Sequence, residues 1–196
     1  MKEALPVNPW GTQRNLMTIS AQALPDAPTI HNGSILYGAL IAEEAGETLE
    51  ALGQALDAIY KPMDLDSTED DARHAVALSL VSLGRIMQSE ALKIRTGLKA
   101  CGDVDIKLTP EQAVDIFDGT TDITVVNCGF AESMGLPGLQ GYMEVALSNH
   151  SKANPDTGVI DKDPSGKWIK GKNFKMPDLL GVLKAHLSIV QGSKER

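Results

Sequence analysis

Three glutamates, Glu43, Glu44 and Glu47, are concentrated in one turn of a long apolar helical pattern. Residues three and four apart share a helix face, so these side chains converge, and like charges at this spacing destabilise an isolated helix by about 0.2–0.5 kcal/mol per pair. Solvated helix faces usually interleave Lys or Arg, but no basic residue occurs between Ile35 and Tyr60. We therefore expect these carboxylates to bind a cation.

Two neighbours of this acidic turn lead to further expectations. Gly46 costs about 1 kcal/mol relative to alanine inside a helix, a penalty that is offset if a facing helix or a ligand approaches closely there. Glu50 lies one turn further along and is expected to be simply solvated.

A second acidic set comprises Asp115, Asp118 and Asp122. Asp122 directly precedes the apolar run Ile123–Val126, where a buried carboxylate is costly unless it is paired or metal-bound. We predict that two antiparallel helices face each other with carboxylates on both. Ligands that are all oxygen atoms favour Mg²⁺ or Mn²⁺ over zinc or copper.

Other metal sites fit the sequence less well. A di-iron bundle uses Glu-x-x-His, and none of the four histidines has a Glu three residues before it. The run that begins at Asp161 resembles the start of an EF-hand loop, but its twelfth position is Lys172 rather than Glu, which disfavours calcium.

Lysines cluster between Lys152 and Lys175 in an otherwise acidic protein. Asn149 and Lys152 are three residues apart at a predicted helix end, and Lys170 and Lys172 follow in a glycine-containing segment. Ammonium groups beside a bound Mg²⁺ are suited to holding a triphosphate. A solvated basic loop is the alternative interpretation.

These motifs together resemble a known enzyme family. The run Glu43–Glu47 resembles the EExxE helix of the all-α nucleoside triphosphate pyrophosphohydrolases, the MazG-like superfamily. Asp118–Ile123 resembles the second acidic helix of that family. Ser148–Lys152 with Lys170–Leu179 resembles the phosphate-binding C-terminal segment of a mostly bacterial and phage branch. The motifs lie within residues 25–60 and 109–180 of one predicted domain that spans residues 1–196.

One position departs from the family pattern. The second motif is usually ExxD, but Gly119 stands three residues before Asp122. Either Asp118 alone or an Asp115–Asp118 pair replaces the missing Glu, and we favour Asp118 with Asp122.

The resemblance implies hydrolysis of a nucleoside triphosphate between the α- and β-phosphates, which yields a monophosphate and pyrophosphate. It implies that Glu44, Glu47, Asp118 and Asp122 bind Mg²⁺ or Mn²⁺. Glu43 then orients or deprotonates the attacking water. The phosphates are held by a set of polar and basic side chains: Asn149, Lys152, Lys170 and Lys172.

The nucleobase is open to more than one interpretation. Our first hypothesis is dGTP, because the C-terminal segment resembles phage enzymes, which include the dGTP pyrophosphohydrolases called MazZ, and because Asn32, Ile35 and Leu36 are candidates to line a base pocket. A dUTP- or dCTP-type house-cleaning pyrophosphatase is the alternative activity. The alternative from a different class of function is a non-catalytic helical interaction domain whose acidic helices bind a basic partner.

Helices must position all of these residues. The spacing of apolar residues, caps and prolines predicts six helices, with one long irregular loop before the last of them. They cover residues 12–24, 32–60, 67–98, 109–135 and 137–149, then the loop 151–176 and a last, sixth helix over 177–190. The predicted class is an all-α helical bundle with a long irregular C-terminal loop and no strand-rich region.

Composition restricts the partners and the compartment. A net charge of −8 disfavours binding to nucleic acid or to an anionic membrane. The start of the chain has no secretory signal pattern, and the apolar run Ala75–Met87 is shorter than the roughly 20 residues of a spanning helix. We expect a cytoplasmic protein, in the host cytoplasm if phage-encoded, with Cys101 and Cys128 as buried thiols. The apolar helix over 67–98 favours a homodimer or homotetramer.

Overall fold

Six helices and two short strands form the regular structure of the computed structural model, which describes residues 8–21, 25–60, 68–164 and 166–194. In chain order the elements are α1 Pro9–Ile19, β1 Thr29–His31, α2 Asn32–Tyr60, α3 Thr68–Leu98, β2 Asp105–Lys107, α4 Pro110–Ser133, α5 Gly138–His150 and α6 Leu179–Lys194. This architecture confirms the predicted all-α class. The pairing of β1 with β2 was not predicted.

Local capping explains why the helix limits were mostly predictable. Thr109 and Gln112 form a reciprocal capping box at the start of α4, which satisfies backbone N–H groups that the first turn leaves without partners. The same helix ends just before Gly135, whose φ of +65° is costly for a residue with a side chain.

The prediction for α1 was wrong at its start. Asn8 caps this helix by accepting a hydrogen bond from the Gly11 backbone N–H at 2.6 Å, and Pro9 follows in the first turn. The cap and the proline together start α1 three residues before the predicted Thr12. The predicted end at residue 24 lies outside the described residues.

The chain divides into two compact units. The first unit comprises residues 1–29, 107–163 and 167–196, and the second comprises residues 30–106 and 164–166. The single domain over residues 1–196 stays a prediction.

In the second unit, α2 and α3 pack as an antiparallel pair along a line of small residues. A Cβ placed on Gly46 would lie 2.7 Å from the Gly84 carbonyl oxygen, and one on Gly53 would lie 2.6 Å from the Ala77 carbonyl oxygen. Ala39, seven residues before Gly46, and Ala91, seven residues after Gly84, are both fully buried. Because the small residues repeat every seven positions on both helices, they form one narrow face on each helix, and these two faces pack together. The structure therefore confirms that Gly46 admits a facing helix.

In the first unit, α1 packs against α5, and α5 also contacts α4 and α6. The buried side chains of this unit include Leu16 on α1, Ala146 on α5 and Ile160 in the loop after α5. The Ile160 backbone N–H donates to the carbonyl of Ile19 at 3.0 Å. These contacts fix the loop that follows α5 against the end of α1.

Large apolar side chains of α3 and α4 remain exposed. No residue of α4 is buried, and Phe117 and Val126 are 73% and 69% exposed. The expectation of buried thiols was wrong, because Cys101 and Cys128 are both free and exposed. Among the described residues, no helix has the length and apolar character needed to cross a membrane.

Candidate functional site

Glu43 is held by a cation from the neighbouring helix. The Nη1 atom of Arg95 on α3 donates to Glu43 Oε1 at 2.9 Å and to Oε2 at 2.8 Å. The two side chains are only 19% and 20% exposed, so water screens the pair less than it screens a surface ion pair. One of the three glutamates in the acidic turn therefore has both carboxylate oxygens hydrogen-bonded to a guanidinium.

Glu44 and Glu47 differ from Glu43 because both are exposed. They lie three residues apart on α2, so their carboxylates are neighbours on one helix face. Mg²⁺ is usually held by one or two protein carboxylates together with water and substrate phosphates. The exposed Glu44–Glu47 pair fits that donor set.

Glu50 is not simply solvated, contrary to the prediction. Its Oε1 accepts a hydrogen bond from Arg85 Nε at 2.9 Å, and its Oε2 accepts one from Gln88 Nε2 at 2.9 Å. The hydrogen bonds from Arg85 and then from Gln88 lower the pKa of the Glu50 carboxyl, because both stabilise the charged form.

A third acidic residue of α2 also meets α3. Asp57 Oδ1 lies 3.0 Å from His74 Nδ1. The acidic members stand seven residues apart on α2, and each faces a basic residue of α3. We name these three contacts the α2–α3 ladder: Glu43 with Arg95, Glu50 with Arg85, and Asp57 with His74.

Sequence reasoning missed Arg95 and Arg85 because it looked for compensating cations on α2 alone. A usable signal was present in the sequence. The small residues at 39, 46 and 53 and those at 77, 84 and 91 share the heptad spacing, and this spacing fixes the antiparallel register. That register brings the basic residues of α3 beside the acidic residues of α2.

The second acidic set lies on the surface of α4. Asp115, Asp118 and Asp122 are all exposed. The apolar run after Asp122 was expected to be buried, but Val125 is 64% exposed. That argument for a metal at Asp122 was therefore wrong in its premise, although Asp118 and Asp122 do share one helix face.

The predicted metal ligands belong to different units: Glu44 and Glu47 to the second, Asp118 and Asp122 to the first. Over the described parts of the chain, no three His, Cys, Asp or Glu side chains are grouped closely enough to hold a metal ion. The four-carboxylate ligand set stays a prediction.

Asn32 has a structural role at the start of α2. Its Nδ2 donates to the Gly102 carbonyl at 2.9 Å, and its Oδ1 accepts from the Val104 backbone N–H at 2.7 Å. These bonds tie the chain that leads into β2 to the beginning of α2. The predicted role of Asn32 in binding a base stays untested.

The predicted phosphate-binding residues of the first unit lie near one another at the end of α5. Lys175 is fixed there by two serines: its carbonyl accepts from Ser148 Oγ and its N–H donates to Ser151 Oγ, each at 2.7 Å. A Cβ on Gly171 would lie 2.8 Å from the Lys152 carbonyl oxygen. The backbone between Lys170 and Lys172 therefore lies against the end of α5, one turn beyond Asn149.

Two of these lysines lie over aromatic rings. Lys152 Nζ is 5.8 Å from the centre of the Trp168 ring, and Lys170 Nζ is 4.9 Å from the centre of the Phe174 ring. Such cation–π contacts hold the ammonium group over the ring, and the attraction offsets the loss of side-chain mobility. Lys172 is exposed, and Asn149 is half-buried.

Burial shifts the proton affinity of two neighbouring groups. It lowers the pKa of the His150 imidazole and that of the Lys162 ammonium, since a site with less water disfavours the charged form. The cluster at the end of α5 therefore combines ammonium groups with the His150 imidazole, whose neutral form is favoured by burial.

The fold is shared with a protein of known structure. A crystal structure of a "putative NTP pyrophosphohydrolase" from Exiguobacterium sp. 255-15 superposes with a TM-score of 0.55 at 19% sequence identity. The likeness covers 97% of this chain and 99% of that one. No family model matches the sequence, and no curated protein matches it. The structural likeness shows that the two proteins share an all-helical fold.

Proposed function

We propose that this protein is a Mg²⁺- or Mn²⁺-dependent nucleoside triphosphate pyrophosphohydrolase that cleaves between the α- and β-phosphates. The observation that carries the proposal is the exposed Glu44–Glu47 pair on α2, in a fold shared almost end to end with a protein named as a putative NTP pyrophosphohydrolase. Hydrolysis releases a nucleoside monophosphate and pyrophosphate. The reaction belongs in the cytoplasm, that of the host if the protein is phage-encoded.

The donor types suit a divalent cation. Glu44 and Glu47 would hold it from α2, and Asp118 and Asp122 would hold it from α4. When bound, Mg²⁺ or Mn²⁺ acidifies a coordinated water and offsets charge that develops on phosphate oxygens. Glu43 then serves the attacking water as the carboxylate that orients or deprotonates it.

The basic residues at the end of α5 would supply the positive charge that faces the phosphates of the substrate. Lys152, Lys170 and Lys172 bring three ammonium groups to the end of α5, and Asn149 adds an amide. A helix C-terminus carries partial negative charge, so the backbone of α5 does not attract phosphate there. The lysines themselves must supply that attraction.

The preferred base in this proposal is guanine, as dGTP or GTP, in the remodelling of a phage nucleotide pool. The support is the resemblance of the C-terminal segment to phage enzymes. The Asn32 amide already donates to and accepts from backbone groups, so it adds less support than the sequence suggested. The alternative substrates are dUTP and dCTP.

The test is a panel of deoxynucleoside and ribonucleoside triphosphates with Mg²⁺ and with Mn²⁺, with the products separated by chromatography. We expect monophosphate and pyrophosphate, with dGTP turned over fastest. Glu47→Ala should lower kcat at least about 100-fold, because it removes charge stabilisation made in the transition state. Glu90→Ala, an exposed glutamate on α3, is the matched control and should retain wild-type kcat.

Each outcome separates one alternative. Faster turnover of dUTP or dCTP would replace the guanine assignment. Absence of turnover for every triphosphate, together with no rise in melting temperature on addition of Mn²⁺, would favour the helical interaction domain. A rise with Mn²⁺ that Glu47→Ala abolishes supports the metal site independently of catalysis.

A further inference from the structure

Arg95 is the one cation of the α2–α3 ladder that reaches the acidic turn of the candidate site. It is joined to Glu43 through a single nitrogen, Nη1, which lies within 2.9 Å of both carboxylate oxygens. Its Nε atom is buried and makes no hydrogen bond to any described residue. The guanidinium is thus placed by Glu43 rather than by a network of its own.

The geometry separates Glu43 from its two neighbours. Glu44 and Glu47 are exposed, whereas Glu43 and Arg95 are about four-fifths buried as side chains. A carboxylate whose two oxygens both accept from one guanidinium is held in a single orientation, while each oxygen keeps a lone pair for a further hydrogen bond. An ion pair that is largely buried also resists rearrangement, since removing one partner leaves the other charge unpaired.

We infer that Arg95 is a positioning residue, which holds Glu43 away from the metal ligands and directed to the attacking water. This inference rests on the proposed function and assigns a role to a residue that the acidic motif does not contain. Arg95 acts through Glu43 and touches neither substrate nor metal.

The α2–α3 ladder provides a matched control. Glu50 with Arg85 is also a glutamate–arginine contact between the same two helices, seven residues along α2 from Glu43. Arg85 is 66% exposed. Arg85→Met therefore removes a more exposed contact of the same residue types, which lies outside the acidic turn.

The experiment compares Arg95→Met, Arg95→Lys, Glu43→Gln, Arg85→Met and the double variant of Glu43→Gln with Arg95→Met. For each variant, kcat and KM are measured with the best triphosphate. The dissociation constant of Mn²⁺ is measured by calorimetry without substrate, and folding is checked by thermal melts. Arg95→Lys retains the cation should Arg95→Met fold poorly.

We expect Arg95→Met to lower kcat at least about tenfold with KM changed less than about twofold, as for loss of an interaction made in the transition state. Arg95→Lys should recover part of kcat, and Arg85→Met should match the wild type. Glu43→Gln should leave the Mn²⁺ dissociation constant unchanged, because the inference makes Glu43 neither a ligand nor a partner of one. The double variant should lose no more kcat than Glu43→Gln alone, because coupled residues are non-additive.

Two results would overturn the inference. One is a kcat for Arg95→Met equal to that of Arg85→Met, or additive losses in the double variant. The other is a clear weakening of Mn²⁺ binding in Glu43→Gln, which would show that Glu43 takes part in metal binding, either as a ligand or by orienting one. If the wild type hydrolyses no triphosphate, the proposed function fails, while the Mn²⁺ titrations still decide whether Glu43 is held off the metal.

Discussion

At the scale of single residues, His150 gives the clearest pH signature. Its Nε2 atom is buried and finds no partner among the described residues, and burial lowers the pKa of the imidazole from its usual 6.5. The folded protein therefore binds this proton less tightly than the unfolded chain does. The stability linked to His150 is complete above the unfolded pKa and is lost as the pH falls below it, down to the folded pKa.

We expect His150→Gln to flatten this dependence. The free energy of unfolding in urea, measured from about pH 7.5 down to about pH 5, should fall less steeply in the variant than in the wild type. Parallel curves for the two proteins would show that the ring is hydrated after all.

The residue types of the candidate site could be predicted from the sequence, but the burial of their side chains and their contacts with α3 could not. Side-chain chemistry and spacing were sufficient to select Glu43, Glu44 and Glu47. The bidentate ion pair of the half-buried Glu43 depends on Arg95, which lies 52 positions away from Glu43 in the chain. Local patterns carry no direct record of such a contact.

At the scale of elements, the close approach of α2 and α3 makes opposite predictions for two glycines of α2. Gly46→Ala places a Cβ 2.7 Å from the Gly84 carbonyl oxygen, so the helices must separate. Overpacking of this kind costs about 1–3 kcal/mol and exceeds the gain of about 1 kcal/mol in helix propensity. We expect Gly46→Ala to lower the free energy of unfolding.

Gly38 is the matched control on the same helix. A Cβ there meets nothing within 4 Å, so Gly38→Ala should raise the free energy of unfolding by about 0.5–1 kcal/mol. Urea melts of both variants measure the two effects. Stabilisation by Gly46→Ala would contradict the close packing.

Helix limits were more predictable than helix contacts for a physical reason. The capping box at Thr109 and the left-handed Gly135 act within a few residues, so they are readable from the sequence. The line of α2 that is buried against α3 runs through Ala39, Gly46 and Gly53. Small residues allow the closer helix approach, and the larger ones flank it. The strands β1 and β2, at three residues each, are too short to show a period.

At the scale of the whole molecule, the exposed apolar surface of α4 supports the proposed homodimer or homotetramer. Val114, Phe117, Val125 and Val126 are each more than 60% exposed. Burying such side chains contributes about 1.5–3 kcal/mol each, and monomers rarely leave large apolar patches in water.

We expect Phe117→Asp to shift the protein toward the monomer in sedimentation velocity, because the added charge must be desolvated in an interface. Gln140→Asp adds the same charge at an exposed position near the start of α5 and should leave the sedimentation coefficient unchanged. A wild type that sediments as a monomer at all concentrations would contradict the proposed assembly.

Gly46 lies between Glu44 and Glu47, so one of the close approaches of α2 and α3 is inside the acidic turn itself. A side chain gained at position 46 would push against Gly84 and displace the backbone that carries both carboxylates. A substitution at position 46 therefore affects both the packing of α2 against α3 and the placement of Glu44 and Glu47. A side chain at position 46 therefore requires the α3 backbone to move, because Gly84 has no side chain that a second substitution could shorten.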